Sequence, residues 1–265
     1  MSFTLMASAQ ASGGQIRRPS NRQNTVNSKI NATPTKMALP NFRVLSEIDK
    51  TCELIGKGTG PSEQPCITIT SSIYNIPDRV NGYKVIKLGK YSFKLAKLKK
   101  IIVPESVTNI EKDAFDHCVE LESIVLPNSI SDIKHFTFAS CINLKSITIP
   151  ASVKTIEDQA FWCCKSLESI YLSEGTEIIG GQAFGYCESL KSITLPSSIK
   201  EIHLSAFFRC ESLKYVKSLI LSPQKCEDSP FIDIPDSIIL YVPVGKKALY
   251  EQRGWGKYFS TIIEQ

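Results

Sequence analysis

Residues 144–172 read LKSITIPASVKTIEDQAFWCCKSLESIYL, and the opening LKSITIP returns 23 residues later as LESIYLS. The period holds outward in both directions: Leu98, Leu121, Leu144, Leu167, Leu190 and Leu213 are each 23 residues apart. Ile110, Ile133, Ile156, Ile179 and Ile202 keep the same spacing. So do Phe115, Phe138, Phe161, Phe184 and Phe207, and Cys118, Cys141, Cys164, Cys187 and Cys210. Concurrent columns at one period mark an internal repeat, and this decides the fold.

In each unit L-x-x-I-x-(L/V/I) predicts a short strand whose alternate residues point inward. Pro104, Pro127, Pro150 or Pro196 ends it, because proline cannot donate to a ladder. The S-(V/I)-x-x-I segment adds two inward groups, and A-F-x-x-C predicts a single helical turn. A 23-residue unit cannot bury its own apolar face, but stacked units share a core. The expected fold is therefore an α/β solenoid with one parallel sheet and short helical turns. Leu88 and Phe93 fit a further, imperfect unit in front, one residue short.

The pattern I-x-x-x-A-F-x-x-C-x-x-L-x-x-I-x-(L/I)-P resembles the BspA-like leucine-rich repeat family, also called the Treponema-type repeat. Residues 80–220 carry the resemblance; only the Leu213 unit departs badly, at Ser218 and Leu219. VNGYKVIKLGKYSF resembles the entry to such repeats, and LYVPVGKKALYEQRGWGKYF their C-terminal segment. The resemblance implies a secreted or surface-attached protein, with relatives linked to adhesion and to binding of host or bacterial proteins.

An open parallel sheet would expose unpaired edges, so both ends need closing. Apolar runs at Val44–Ile48, Cys52–Ile55 and Ile67–Ile69 predict a β-hairpin cap over residues 41–83, ahead of repeats over 84–220. Over 221–265 a strand at Ile238–Val242, stopped by Pro243, and a helix at Gly245–Arg253 form the other cap. Residues 12–40, rich in Ser, Asn, Gln, Thr, Gly and Pro, read as a disordered basic linker. Residues 1–11 read as the remnant of a secretory signal, with A-x-A arrangements at Ala7–Ala9 and Ala9–Ala11; an ordinary disordered terminus is the alternative.

Net charge is +5, and its origin is local: Arg17, Arg18, Arg22, Lys29 and Lys36 meet no acid in residues 1–40. The body, residues 41–265, balances 26 basic against 26 acidic residues. That argues against a nucleic-acid-binding domain, which needs a concentrated basic face, and no run of about 18 apolar residues predicts a membrane-spanning helix. The linker is left as a tether able to meet an anionic surface.

No G-x-S-x-G, H-E-x-x-H, phosphate loop or dinucleotide fingerprint occurs, and an enzyme is not expected. No catalytic residue, cofactor or metal site is assigned. His117, His135 and His203 fall at three phases of the repeat and read as separate surface residues. The periodic cysteines read as a buried ladder of small apolar groups, while Cys52 and Cys66 are either a cap disulfide or two free thiols. The states of Cys163 and Cys226 are open.

Outward strand positions carry the candidate sites. Lys99, Glu122, Lys145, Glu168, Lys191 and Lys214 alternate in sign across the strands, which stabilises the register. Beside them run Lys100, the serines 123, 146, 169 and 192 and Tyr215, then Ile102, Val125, Thr148, Tyr171, Thr194 and Lys217. This hydroxyl-rich face with Tyr171 and Tyr215 suits a protein or a glycan. Trp162, Tyr186 and Phe208, just past the repeat phenylalanines, form a second candidate patch or else pack over the coil edges. The expected function is a monomeric interaction module for a host-matrix or bacterial-surface protein, with a carbohydrate-binding accessory protein as the alternative.

Overall fold

The computed structural model describes residues 40–56, 72–226 and 229–265. Residues 1–39, Ile67–Ile69 and Cys66 lie outside the described residues, and with them the signal, most of the linker and the Cys52–Cys66 bridge.

The repeats coil into a solenoid whose front is built of parallel strands in chain order. Ile73–Asn75 is followed by Lys100–Ile102, Ser123–Val125, Ser146–Ile149 and Ser169–Leu172, then Ser192–Leu195, Tyr215–Ser218, Ile239–Val242 and Thr261–Glu264. The last two continue the front sheet into the C-terminal cap, at spacings of 24 and 22 residues from Tyr215 to Ile239 and from Ile239 to Thr261. Where one sheet was expected, the S-(V/I)-x-x-I segments make a second parallel ladder. It runs through Asp132–Ile133, Thr155–Ile156, Ile178–Ile179 and Glu201–Ile202, while the matching Asn109–Ile110 pairs with Tyr83–Leu88 instead.

The expected helical turn is three overlapping β-turn closures instead, for example Ala160 N–H to Glu157 O, Trp162 N–H to Gln159 O and Cys164 N–H to Phe161 O. Two residues per coil sit in the left-handed region to make them, as at Gln159 (φ 55°) and Cys163 (φ 60°). Such residues cost about 1 kcal/mol each. The return is a third inter-coil ladder in which Gln159, Phe161 and Cys163 donate to Gly181, Ala183 and Gly185 carbonyls at 2.8–2.9 Å.

The apolar columns fill the space between the ladders, with the repeat phenylalanines and cysteines fully buried. Each repeat cysteine does more than fill space. Its Sγ donates to the phenylalanine carbonyl of the preceding coil, at 3.0–3.4 Å from Cys118 to Cys210. Burial pushes the thiols of Cys141, Cys164, Cys187 and Cys210 well above the usual range. These four thiols should therefore resist a disulfide reagent in the native protein and react only on unfolding, since the thiolate is the reactive form. Rapid native labelling of Cys164 would contradict the packing.

The N-terminal hairpin, Phe42–Ser46 with Thr51–Leu54, is antiparallel as expected. Thr51–Leu54 then pairs with Tyr83–Leu88, which pairs with Asn109–Ile110, so the hairpin is joined in one sheet to the back strand of the first coil. At the other end the helix Lys247–Gln252 follows its strand as expected, and Glu264 Oε1 accepts the Lys247 N–H at 2.8 Å. Phe231 and Trp255 close the aromatic core.

Candidate functional site

The front face carries the first candidate site. Register places Ile102 beside Val125 and Thr148 beside Tyr171, all in one outward row. Tyr171 is 64% exposed and Val125 48%. Tyr215 stands in the adjacent row, edge-on to Tyr241 at 5.8 Å, a partner that the repeat spacing did not reveal because the coil after Tyr215 has an extra residue.

The ladder is uneven along this face. Lys100–Ile102 meets Ser123–Val125 at three register pairs, and Ser146–Ile149 meets Ser169–Leu172 at four. Between Ser123–Val125 and Ser146–Ile149 a single pair remains, Ser123 with Ser146. A cleft of about 690 Å³ opens there, walled by Val125, Thr148 and Tyr171, with Ile124, Ile147 and Ile170 beneath it. Beyond it, Ser169–Leu172 touches the next strand through Lys191 N–H and Glu168 O at 3.3 Å.

The charge ladder forms as expected. Glu122 lies 3.3 Å from Lys99 and 3.7 Å from Lys145, and Glu168 binds Lys191. The hydrogen bond from Lys99 holds the Glu122 carboxyl below its usual range.

Trp162, Tyr186 and Phe208 do cluster on one flank, each half-buried. Trp162 and Tyr186 meet edge to face at 4.6 Å and Tyr186 and Phe208 at 5.3 Å, with the Arg209 guanidinium 5.7 Å from both of the latter rings. The histidines depart from expectation. His117 is an exposed partner of Asp116 at 2.6 Å, but His135 and His203 line one groove with Glu157, Asp158 and Gly180. Their phases differ by one residue, and a groove running across coils bridges that offset. Among the described residues no group of His, Cys, Asp or Glu is placed to hold a metal, and no helix is long and apolar enough to cross a membrane.

Parallel strands, inward leucines and a stacked 23-residue coil define a leucine-rich-repeat solenoid. Residues 86–214 match the BspA type leucine rich repeat region in six copies, and through them the chain belongs to the BspA-type leucine-rich repeat proteins. A leucine-rich repeat protein from Bacteroides ovatus superposes with a TM-score of 0.50 at 24% identity, covering 78% of this chain and 67% of that one. A leucine rich cell surface protein from Faecalibacterium prausnitzii gives 0.52 at 18% identity, covering 84% and 74%. These likenesses concern the fold. No curated protein matches the chain.

Proposed function

We propose that the chain is a non-enzymatic, secreted or surface-associated module that binds a protein ligand through its front face and so serves adhesion. The observation that carries this is the cleft beside the exposed Tyr171, where the strand ladder opens over the buried Ile124, Ile147 and Ile170. An exposed tyrosine over a partly opened apolar floor is the kind of anchor site that dominates protein interfaces. The mixed charges of the neighbouring ladder supply register rather than a single-sign field. The cell-surface description of the Faecalibacterium relative agrees with an exported protein. A host-matrix or bacterial-surface protein is the partner class this reading names.

The test is capture of such proteins by the full chain and by a Val125→Arg, Tyr171→Ala variant. Both side chains are outward, so the thermal midpoint should hold within about 2 °C, as for most surface changes. Captured ligand should fall about ten-fold or more. Undiminished capture by the folded variant sinks the front-face reading.

A further inference from the structure

The coil through Ile178 to Tyr186 has three glycines where its neighbours carry side chains. Two are required by packing: a Cβ on Gly180 would stand 2.6 Å from Asp158 Oδ1, and one on Gly185 2.8 Å from the Trp162 ring. Gly181 is different. A Cβ there would meet only Leu204 O at 3.4 Å and Asp158 at 3.5 Å, ordinary contacts. Its missing side chain leaves open a notch, a hollow of about 390 Å³, and a second of about 340 Å³ beside Gly180 adjoins it, the two sharing Asp158 and His203. Such volumes are of small-ligand size.

The lining has fixed polar geometry. His135 Nδ1 lies 2.8 Å from the Asp158 carbonyl, which only accepts, so Nδ1 carries a proton and donates it there. His203 turns Nε2 to Glu201 at 3.2 Å. Asp158 uses one carboxylate oxygen on the Gly181 N–H at 2.6 Å and keeps the other. Gln159 donates to the Gln182 side-chain oxygen at 3.1 Å, which orients the Gln182 amide as a donor. Acceptors and a donor in planar groups suit a ligand rich in hydroxyls, each of which both gives and takes. No lysine or arginine lines either hollow, and Arg209, against the Tyr186 and Phe208 rings, is paired with Asp233 at 3.7 Å, so an anion is not matched.

On the same three coils stand Trp162, Tyr186 and Phe208, rigidly packed edge to face. Backbone groups here are already used: Gln159 donates to Gly181 O at 2.9 Å and Gln182 to Leu204 O at 3.2 Å. A peptide strand therefore has nothing to pair with, and recognition falls to side chains. Coils repeat at about 4.8 Å, close to the length of one pyranose unit.

We propose that this flank binds a neutral oligosaccharide, its sugar faces on Trp162, Tyr186 and Phe208 and its hydroxyls on Asp158, Gln182 and His203. The site is independent of the front face. It is tested by calorimetry and affinity electrophoresis of the full chain against glucan, mannan, xylan and N-acetylglucosamine oligomers, with polygalacturonate as the anionic control. At least one neutral glycan should bind and the anionic one should not. Trp162→Ala and the notch-filling Gly181→Leu should each weaken binding about ten-fold or more, while Tyr171→Ala leaves it unchanged. Because Gly181 has room for a side chain, that variant stays folded even if Trp162→Ala does not. Absence of neutral-glycan binding at millimolar concentration overturns the proposal, as does binding that survives both variants. Loss of a protein ligand from the Trp162 variant with no glycan bound also overturns it and makes the flank a protein interface.

Discussion

Phe161→Ala is expected to lower the stability of the protein by about 3–5 kcal/mol, the range for removing a large aromatic side chain from a closed core. Phe161 is fully buried and lies between Phe138 at 5.2 Å and Phe184 at 5.4 Å, with the rings within 14° of parallel. The stack runs from Phe93 to Phe231 without interruption. The neighbouring rings cannot close over the gap, because the backbone of each is fixed in the inter-coil ladder: Phe138 donates to Ala160 O at 2.9 Å and Phe184 to Ala206 O at 2.8 Å. The cavity therefore stays, and with it the lost contacts. Phe161→Leu retains most of the volume and should cost about 1.5 kcal/mol or less. Phe208→Ala, at the half-buried flank, should stay within about 1 kcal/mol. Urea unfolding measures all three. A loss under about 1 kcal/mol for Phe161→Ala would show that the stack does not hold the coils together.

Phe207, fully buried in the stack, and Phe208, half-buried on the flank, are adjacent and chemically identical, and their difference shows what periodicity makes legible. A large apolar column that returns every 23 residues points inward, so the core and the front strands could be read directly from the leucine, isoleucine, phenylalanine and cysteine columns. The turn conformation could not. Its left-handed positions are occupied in successive coils by Asp113, Phe136, Gln159, Gln182 and Ser205, residues with no common chemistry, because the demand falls on the backbone and the side chains point away. Phe231 escaped for a different reason: it follows Phe207 by 24 residues, and one inserted residue hides a column from a fixed spacing although the ring stacks at 5.1 Å. The candidate sites are departures from the repeat. The cleft arises where two serine-led strands of ordinary sequence pair at one position, and the notch where Gly181 omits a side chain. A pattern search sees the rule and passes over such exceptions.

Glu53→Ala should produce the second large loss, about 3 kcal/mol, concentrated at the N-terminal end. Glu53 precedes the repeats and no period marks it, yet its side chain is only 3% exposed. One oxygen binds Arg43, with Nε at 3.1 Å, and the other faces Lys87 Nζ at 3.5 Å. Lys87 continues to Glu111 at 2.9 Å, and Glu111 to Lys134 at 3.2 Å. The network thus ties the cap hairpin to the first coils. Gly89 completes the fit, since a Cβ there would lie 2.6 Å from Glu53 Oε1 and 2.8 Å from Leu54 O. Removing one partner of a buried pair costs about 3–5 kcal/mol, and partial exposure of Arg43 and Lys87 puts this case at the lower end. A methionine of similar volume leaves less empty space than alanine and should recover part of the loss. The network also sets a pH window. Burial pushes the Glu111 carboxyl up, but hydrogen bonds and charge from Lys87 and Lys134 outweigh it and leave it below its usual range. Its contribution is therefore complete above about pH 4.3, the ordinary glutamate value, and is lost as pH falls through the lowered one. Burial pulls Lys87 down while Glu111 and Glu53 raise it further, so its contribution is complete below about pH 10.4 and fades as pH rises through the raised value. Unfolding midpoints against pH should show the Glu53→Ala loss throughout that window. Amide exchange should show opening of Thr51–Leu54 and Tyr83–Leu88 before the central coils. A variant within about 1 kcal/mol of the parent, with the hairpin still protected, would mean that apolar packing of Cys52 and Leu54 alone holds the cap.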